Sequence, residues 1–146
     1  IVRQRPEARF YVVGKSPHRR LQEIARSPGV VITGYVADIL PYFGGADVYV
    51  VPIRIGGGTR LKILEAMAAG LPLVTTSLGI EGIEAVAGEH ALVVDAPKEF
   101  ADAVLRLLAD EEKRRSLGQA ARELALQRYD WRRIVPRLEA WYATLS

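Results

Sequence analysis

Cysteine is missing altogether, which removes disulfides, thiolate nucleophiles and zinc–thiolate sites together and fits a reducing compartment. Histidine is nearly as scarce. His18 and His90 have no partner at metal-ligand spacing, so they are read as exposed or capping residues and no bound metal is expected. No apolar run is long enough to cross a bilayer, and no signal-peptide pattern opens the chain. Neither sign of charge dominates: 20 basic against 17 acidic residues leave a net +3, with the two signs interspersed. That balance favours an anionic small ligand or a membrane surface no more than it favours neither, and with no nucleic-acid motif beside it nucleic acid is not an expected partner. Walker A spacing, G-x-G-x-x-G, internal repeats and low-complexity linkers are all absent.

What is present suits one soluble domain with a proper core: 146 residues, 49% apolar and 25% charged. Apolar β-rich runs alternate with helical patterns, the mark of an α/β fold with a parallel sheet and flanking helices. Strands are expected over 9–13 ("RFYVV"), 30–34 ("VVITG"), 47–52 ("DVYVVP"), 71–76 ("LPLVTT") and 90–95 ("HALVVD"). Helices are expected over 18–26, over "ILPYFGG" behind an Asp38 cap, and over 60–69 ahead of Gly70 and Pro72. Three more should fill 97–109, 111–128 and 131–142. The whole, residues 1–146, reads as a single Rossmann-like domain that begins without Met, inside a structural unit, and so as a fragment. Gly and polar clusters at 14–15, 34–35, 56–60 and 76–82 each follow a strand, where open α/β sheets bind ligands, and are expected on one rim.

The most informative cluster is "GGGTRLKILEAMAAGLP", Gly56 to Pro72. Without Cβ atoms, Gly56, Gly57 and Gly58 let the backbone approach a ligand, and the helix behind them offers unpaired N–H groups and a positive dipole end. Thr59 can cap that helix, and Arg60 and Lys62 add charge. A diphosphate fits physically. Glu65, about a turn and a half further on, could then accept two ribose hydroxyl protons. The competing reading is a tight strand-to-helix turn and an amphipathic helix, with Glu65 a solvated acid; the pattern alone leaves the two about even.

These residues resemble a known family. "VPIRIGGGTRLKILEAMAAGLPLVTT" looks like the nucleotide-binding signature of the retaining family 4 glycosyltransferases, which have the two-Rossmann-domain GT-B fold. "RFYVVGKSP", "VVITGYVADILPYFGGADVYVVP" and the stretch from "ALVVDAPKEF" to "QRYDW" follow in the family's order, so the resemblance covers nearly the whole chain. It implies the C-terminal, donor-nucleotide half of a GT-B fold with extra C-terminal helices. The family pattern commonly has two glutamates with seven residues between them: Glu65 matches the second, which holds the donor ribose, and Gly57 stands at the first. By the same resemblance Gly58, Thr59 and Arg60 meet the diphosphate, while Gly34, Tyr35 and Val36 border the nucleobase. Lys15 and Lys62 are further candidates for phosphate contact, although a lysine placed as Lys15 is more often simply solvated.

The implied substrate is a nucleotide-sugar such as a UDP- or GDP-sugar, with no further cofactor, and the implied acceptor a glycan or lipid-linked sugar of bacterial polysaccharide biosynthesis. No residue is assigned as catalytic, because nothing here is an obvious general base and the family's acceptor site lies on an N-terminal domain. The piece alone is expected not to turn over, and a cytoplasmic location is expected. The last helix mixes Arg with Trp131, Ile134, Leu138, Trp141 and Tyr142; such a helix can lie peripherally on an anionic membrane. Packing against the sheet, or crossing to an N-terminal domain as GT-B tails do, is the preferred expectation, with an exposed apolar patch if that domain is missing. Pro136 should kink it. The reading kept beside the transferase is a non-catalytic α/β nucleotide-binding or interaction module, which Gly57 favours. A receiver-type signalling domain is a weaker third, since Val13, Gly14 and Lys15 stand where its acidic cluster would be.

Overall fold

All five expected strands form, and every pairing is parallel, in a computed structural model that describes residues 1–15, 19–58 and 60–144. The strands pair as one two-stranded and one three-stranded sheet, in two compact units, Ile1–Gly45 and Ala46–Ser146. Each unit is built differently.

In the first, β1 (Phe10–Val13) runs beside β2 (Val30–Gly34), with Phe10 opposite Val30 and Val13 opposite Gly34. The register slips between Val12 and Val13, so the two glycine-bearing ends meet: the Gly14 N–H donates to the Gly34 carbonyl at 3.2 Å. Helix α1 (Arg19–Ile24) is shorter than expected, and His18 lies outside the described residues. In α2 (Leu40–Gly44) the cap position falls to Ile39 rather than Asp38, and no side chain caps it. Asp38 still serves the helix, because its Oδ1 accepts from the Leu40 N–H at 2.9 Å.

The second unit holds β3 (Tyr49–Val51), β4 (Leu73–Thr75) and β5 (Leu92–Val93) in that order across its sheet. Its central strand is buried on both faces, as a parallel strand covered by helices must be. Leu73 joins Ile63 and Met67 of α3 (Leu61–Ala68), whereas Val74 joins Val104 and Leu107 of α5 (Pro97–Ala109). Each large apolar side chain so buried contributes about 1.5–3 kcal/mol. Helix α6 (Glu111–Arg128) adds Leu117 to the second cluster and Ala121 and Ala125 to the first. Its start is capped by Asp110, whose Oδ1 accepts from the Lys113 N–H at 2.8 Å.

Helix α3 ends as the sequence predicts. Gly70 takes φ +76°, its N–H donates to the Met67 carbonyl at 2.9 Å, and the Leu71 N–H reaches the Ala66 carbonyl at 3.0 Å. The carbonyl of Gly70 is the surface on which α6 rests: an added Cβ at Gly118 would collide with that oxygen. Within the cluster at 76–82 a short helix that was not among those expected, α4 (Ser77–Ile80), follows β4.

Helix α7 (Trp131–Ala143) departs from the expected packing, since none of its residues is buried and Trp131 and Trp141 are 73% and 57% exposed. Its apolar side, Trp131, Val135, Leu138 and Tyr142, recurs at helical spacing and is exposed. Among its arginines, Arg132 is paired with Asp130 at 2.7 Å.

The glycine contact yields a stability test. Gly118→Ala should cost about 3 kcal/mol, because the new methyl must push α6 off α3. Gly44→Ala, where a Cβ meets nothing within 4 Å, should be neutral or stabilise by up to about 1 kcal/mol. Urea midpoints at unchanged slope measure both; equal midpoints for the two variants would refute the close approach.

Candidate functional site

The carboxyl ends of β3, β4 and β5 converge on one small polar region of the second unit. From β4, the buried Thr75 hydroxyl donates to the Val51 carbonyl at 3.1 Å, and the Thr76 hydroxyl donates to the Ile53 carbonyl at 2.5 Å. Thr76 also caps α4, accepting from the Gly79 N–H at 3.0 Å. One side chain thus fixes where β3 ends and where α4 begins. From β5 comes Asp95, whose two oxygens accept from the N–H and hydroxyl of Ser77 at 2.9 and 2.7 Å. Those bonds hold its carboxyl below the usual carboxylate range, the hydroxyl bond contributing most. Between these groups lies a cleft of about 170 Å³ lined by Pro52, Arg54, Thr76, Asp95, Pro97 and Phe100.

Beyond Pro52 the chain enters the glycine loop. Gly56 and Gly58 take φ +127° and +79°, conformations that L side chains rarely adopt, while Gly57 does not. The tip is open to solvent, with Ile55 91% exposed. Arg60 occupies the cap position of α3 but makes no cap bond. Its side chain turns back instead, and Nη1 donates to the Gly57 carbonyl at 2.7 Å. Nε and Nη2 are buried and, among the described residues, have no hydrogen-bond partner. The Arg60 head is thus folded back against the loop rather than extended into solvent. Thr59 lies outside the described residues.

Lys62 and Glu65 stand on the exposed side of α3. Glu65 is close enough to Tyr49 that its charge adds to burial, the larger effect, in pushing the Tyr49 hydroxyl up. Gly57, Gly58, Arg60, Lys62 and Glu65 therefore belong to one loop and the helix behind it. The other expected residues belong to the first unit: Gly34 ends β2 at φ +72°, Tyr35 is 74% exposed, Val36 is half-buried, and Lys15 is exposed behind β1. His90 closes a turn, its Nδ1 accepting from the Val86 N–H at 3.0 Å. Glu81 is exposed. No group of three metal-ligating side chains occurs among the described residues.

Sequence reasoning missed Asp95 and Arg54. Asp95 acts on a residue eighteen positions away, a pairing that no local spacing reveals. For α4 the local signal was Thr76 itself, a residue type that favours the N-cap position.

The family model for glycosyl transferases group 1 matches residues 1–110, and the chain belongs to that family. It is 34% identical over 145 residues to the GDP-mannose-dependent alpha-(1-6)-phosphatidylinositol monomannoside mannosyltransferase of Mycolicibacterium smegmatis, covering 89% of this chain and 38% of that enzyme. In three dimensions it resembles the Anabaena protein HepE, solved with UDP and with UDP-glucose. The UDP complex has a TM-score of 0.83 at 19% identity, over 95% of this chain and 42% of HepE. It also resembles the C-terminal domain of the Francisella tularensis group 1 glycosyl transferase LpcC: TM-score 0.77, 21% identity, 89% of this chain and 74% of that domain. The α/β architecture is that of the GT-B glycosyltransferases. The chain spans well under half the length of the curated relatives it matches.

Asp95 supplies a pH test. Because its folded pKa is depressed, the stability it lends through Ser77 is complete above the unfolded carboxylate range, about pH 4, and is lost as pH falls through the folded value. Wild type should therefore exceed Asp95→Asn in urea midpoint near neutral pH, and the gap should close on acidification. A gap that stays constant down to about pH 2 would remove the carboxylate from that role.

Proposed function

We propose that the chain is the donor-nucleotide half, the C-terminal domain, of a retaining glycosyltransferase that moves a sugar from a nucleotide-sugar to a glycan or lipid-linked acceptor. The observation that carries this reading is the loop between β3 and α3 in a chain of this family: two glycines at positive φ, a helix N-terminus whose cap residue makes no side-chain cap bond, and an arginine head with two buried nitrogens that have no hydrogen-bond partner among the described residues. Such a loop suits the diphosphate, with the Gly58 N–H group and Arg60 facing its oxygens and Lys62 adding charge, and Thr59 is proposed beside them on the resemblance alone. Glu65 is proposed to hold the ribose hydroxyls. Gly34, Tyr35 and Val36 are proposed for the base, and Lys15 for a phosphate, on the resemblance alone. The likeness to a protein solved with UDP-glucose and to a GDP-mannose-dependent enzyme supports the substrate class and leaves the base open.

In this reading the bond between the anomeric carbon and the diphosphate oxygen breaks, and negative charge grows on the departing diphosphate. Fixed N–H dipoles and a guanidinium stabilise that charge without reorganising, and removing one such donor costs about 2.7–4 kcal/mol of barrier in enzymes that use them. The new bond forms to an acceptor hydroxyl that must be held at attack distance. We place that acceptor site in the remainder of a longer transferase, which would also cover the exposed apolar side of α7. Alone, the chain should not turn over. A second reading, a nucleotide-binding or interaction module without transfer, is favoured by one observation: Gly57 stands where the family pattern has its first glutamate.

Titration with UDP, GDP and ADP, followed by backbone amide shifts, tests the donor site. Saturable shifts at residues 34–36 and 56–66 with one base preferred are expected, and Glu65→Ala should weaken binding about tenfold, the loss of a hydrogen bond to a charged group. Amides that stay unmoved at millimolar nucleotide would sink the donor-site reading for this chain.

A further inference from the structure

Arg60 does something that neither a cap nor an exposed phosphate ligand would do. Its Nη1 bond to the Gly57 carbonyl, at 2.7 Å, closes the loop into a ring through its own side chain. The guanidinium lies over Gly56, with Nη2 and Nη1 at 3.1 and 3.3 Å from where a Cβ there would be, so position 56 accommodates the arginine as well as the turn. Nε and Nη2 are buried without an acceptor, and no carboxylate among the described residues pairs with the head. Guanidinium keeps its charge at any ordinary pH, and buried N–H groups on a charged head are costly to leave unmade. A neutral backbone carbonyl is the weaker of two possible partners; an anionic oxygen adds attraction between opposite charges and can accept two parallel bonds from the fork.

We propose that Arg60 is a latch on the glycine loop: with no anion bound it holds the loop on the Gly57 carbonyl, and a diphosphate oxygen takes the guanidinium over and frees Gly57. The inference rests on the reading of this loop as a diphosphate cradle and adds its regulation. The same charge that would recognise the ligand ties the loop to itself through the Gly57 carbonyl, so Arg60 positions the loop before it touches any substrate. Diphosphate, able to engage the head and the amides behind it together, should release the latch, whereas a nucleoside without phosphate should not.

The probes are inorganic pyrophosphate and uridine, on wild type, Arg60→Gln and Arg60→Lys, read by the Arg60 Nε–H signal and the Gly57 carbonyl carbon. In the free wild type a slowly exchanging Nε–H is expected; pyrophosphate should move it and the Gly57 carbon, and uridine should move neither. Arg60→Gln should lose at least tenfold in pyrophosphate affinity, and its Gly57 carbon should sit near the bound position before any ligand is added. Arg60→Lys should recover part of the affinity through its charge but not the Gly57 shift, which a merely structural role would not produce. A Gly57 carbon that is the same free and bound, or the same in wild type and Arg60→Gln, overturns the latch, as does failure of pyrophosphate to bind. If pyrophosphate releases the latch but no nucleotide is preferred, the latch stands and the donor reading falls; if a nucleotide binds with Gly57 unmoved, the reverse holds.

Discussion

Burial of β4 on both faces is the constraint from which the second unit is organised. Leu73 and Val74 point to opposite sides of a strand only three residues long, and each side is closed by helices. A strand with no solvent face cannot slip by one residue without exchanging its two clusters, so the register is fixed strongly. That fixed register sets where Thr75 and Thr76 fall, and their hydroxyls in turn hold the Val51 carbonyl at the end of β3 and the Ile53 carbonyl just beyond it. The end of β3, and hence the start of the glycine loop, is placed by packing two elements away.

The loop itself is then free backbone between two anchors. On one side stands the threonine-held end of β3; on the other α3, buried through Ile63, Ala66 and Met67 and locked by the Gly70–Gly118 contact. A rigid frame lets a few glycines take unusual conformations at local cost only, which is how a site on a loop gains the precision of the elements it joins. Arg60 sits where frame meets loop. As the first residue before α3 its backbone is anchored, while its head reaches back three residues to Gly57.

Much of this was legible in the residues. The alternation of β-branched runs and helical patterns gave all five strands, and the bounds of α5 and α6 coincide with expectation because Pro97, Asp110 and the break at Tyr129 to Asp130 are strong local signals. What stayed illegible was non-local. Asp95 and Ser77 meet only once β4 and β5 lie side by side. The burial of the Arg60 head depends on backbone dihedrals at Gly56 and Gly58 that composition permits without dictating. Helix α7 carries an amphipathic pattern as clear as that of α5, yet its apolar side is exposed, because periodicity states that a helix has a face to cover and not what covers it.

The electrostatics of the glycine loop narrow what its chemistry can be. Where the family pattern places a carboxylate, position 57 offers only a carbonyl, and the charge beside it is positive and not removable at ordinary pH. A group of that kind cannot take a proton from an acceptor hydroxyl; it can only favour negative charge that arrives or develops nearby. On the proposed transferase reading, such a loop suits the leaving-group half of the reaction. The first carboxylate's part, if the reaction needs one, must be played by another residue, by the diphosphate itself, or by a group outside this chain. Glu65, exposed on α3 and near enough to Tyr49 to influence its hydroxyl, is the nearest carboxylate along the chain, and it stands one and a half turns behind the loop rather than in it. That separation of positive head from carboxylate suits a ligand carrying phosphates at one end and hydroxyls next to them.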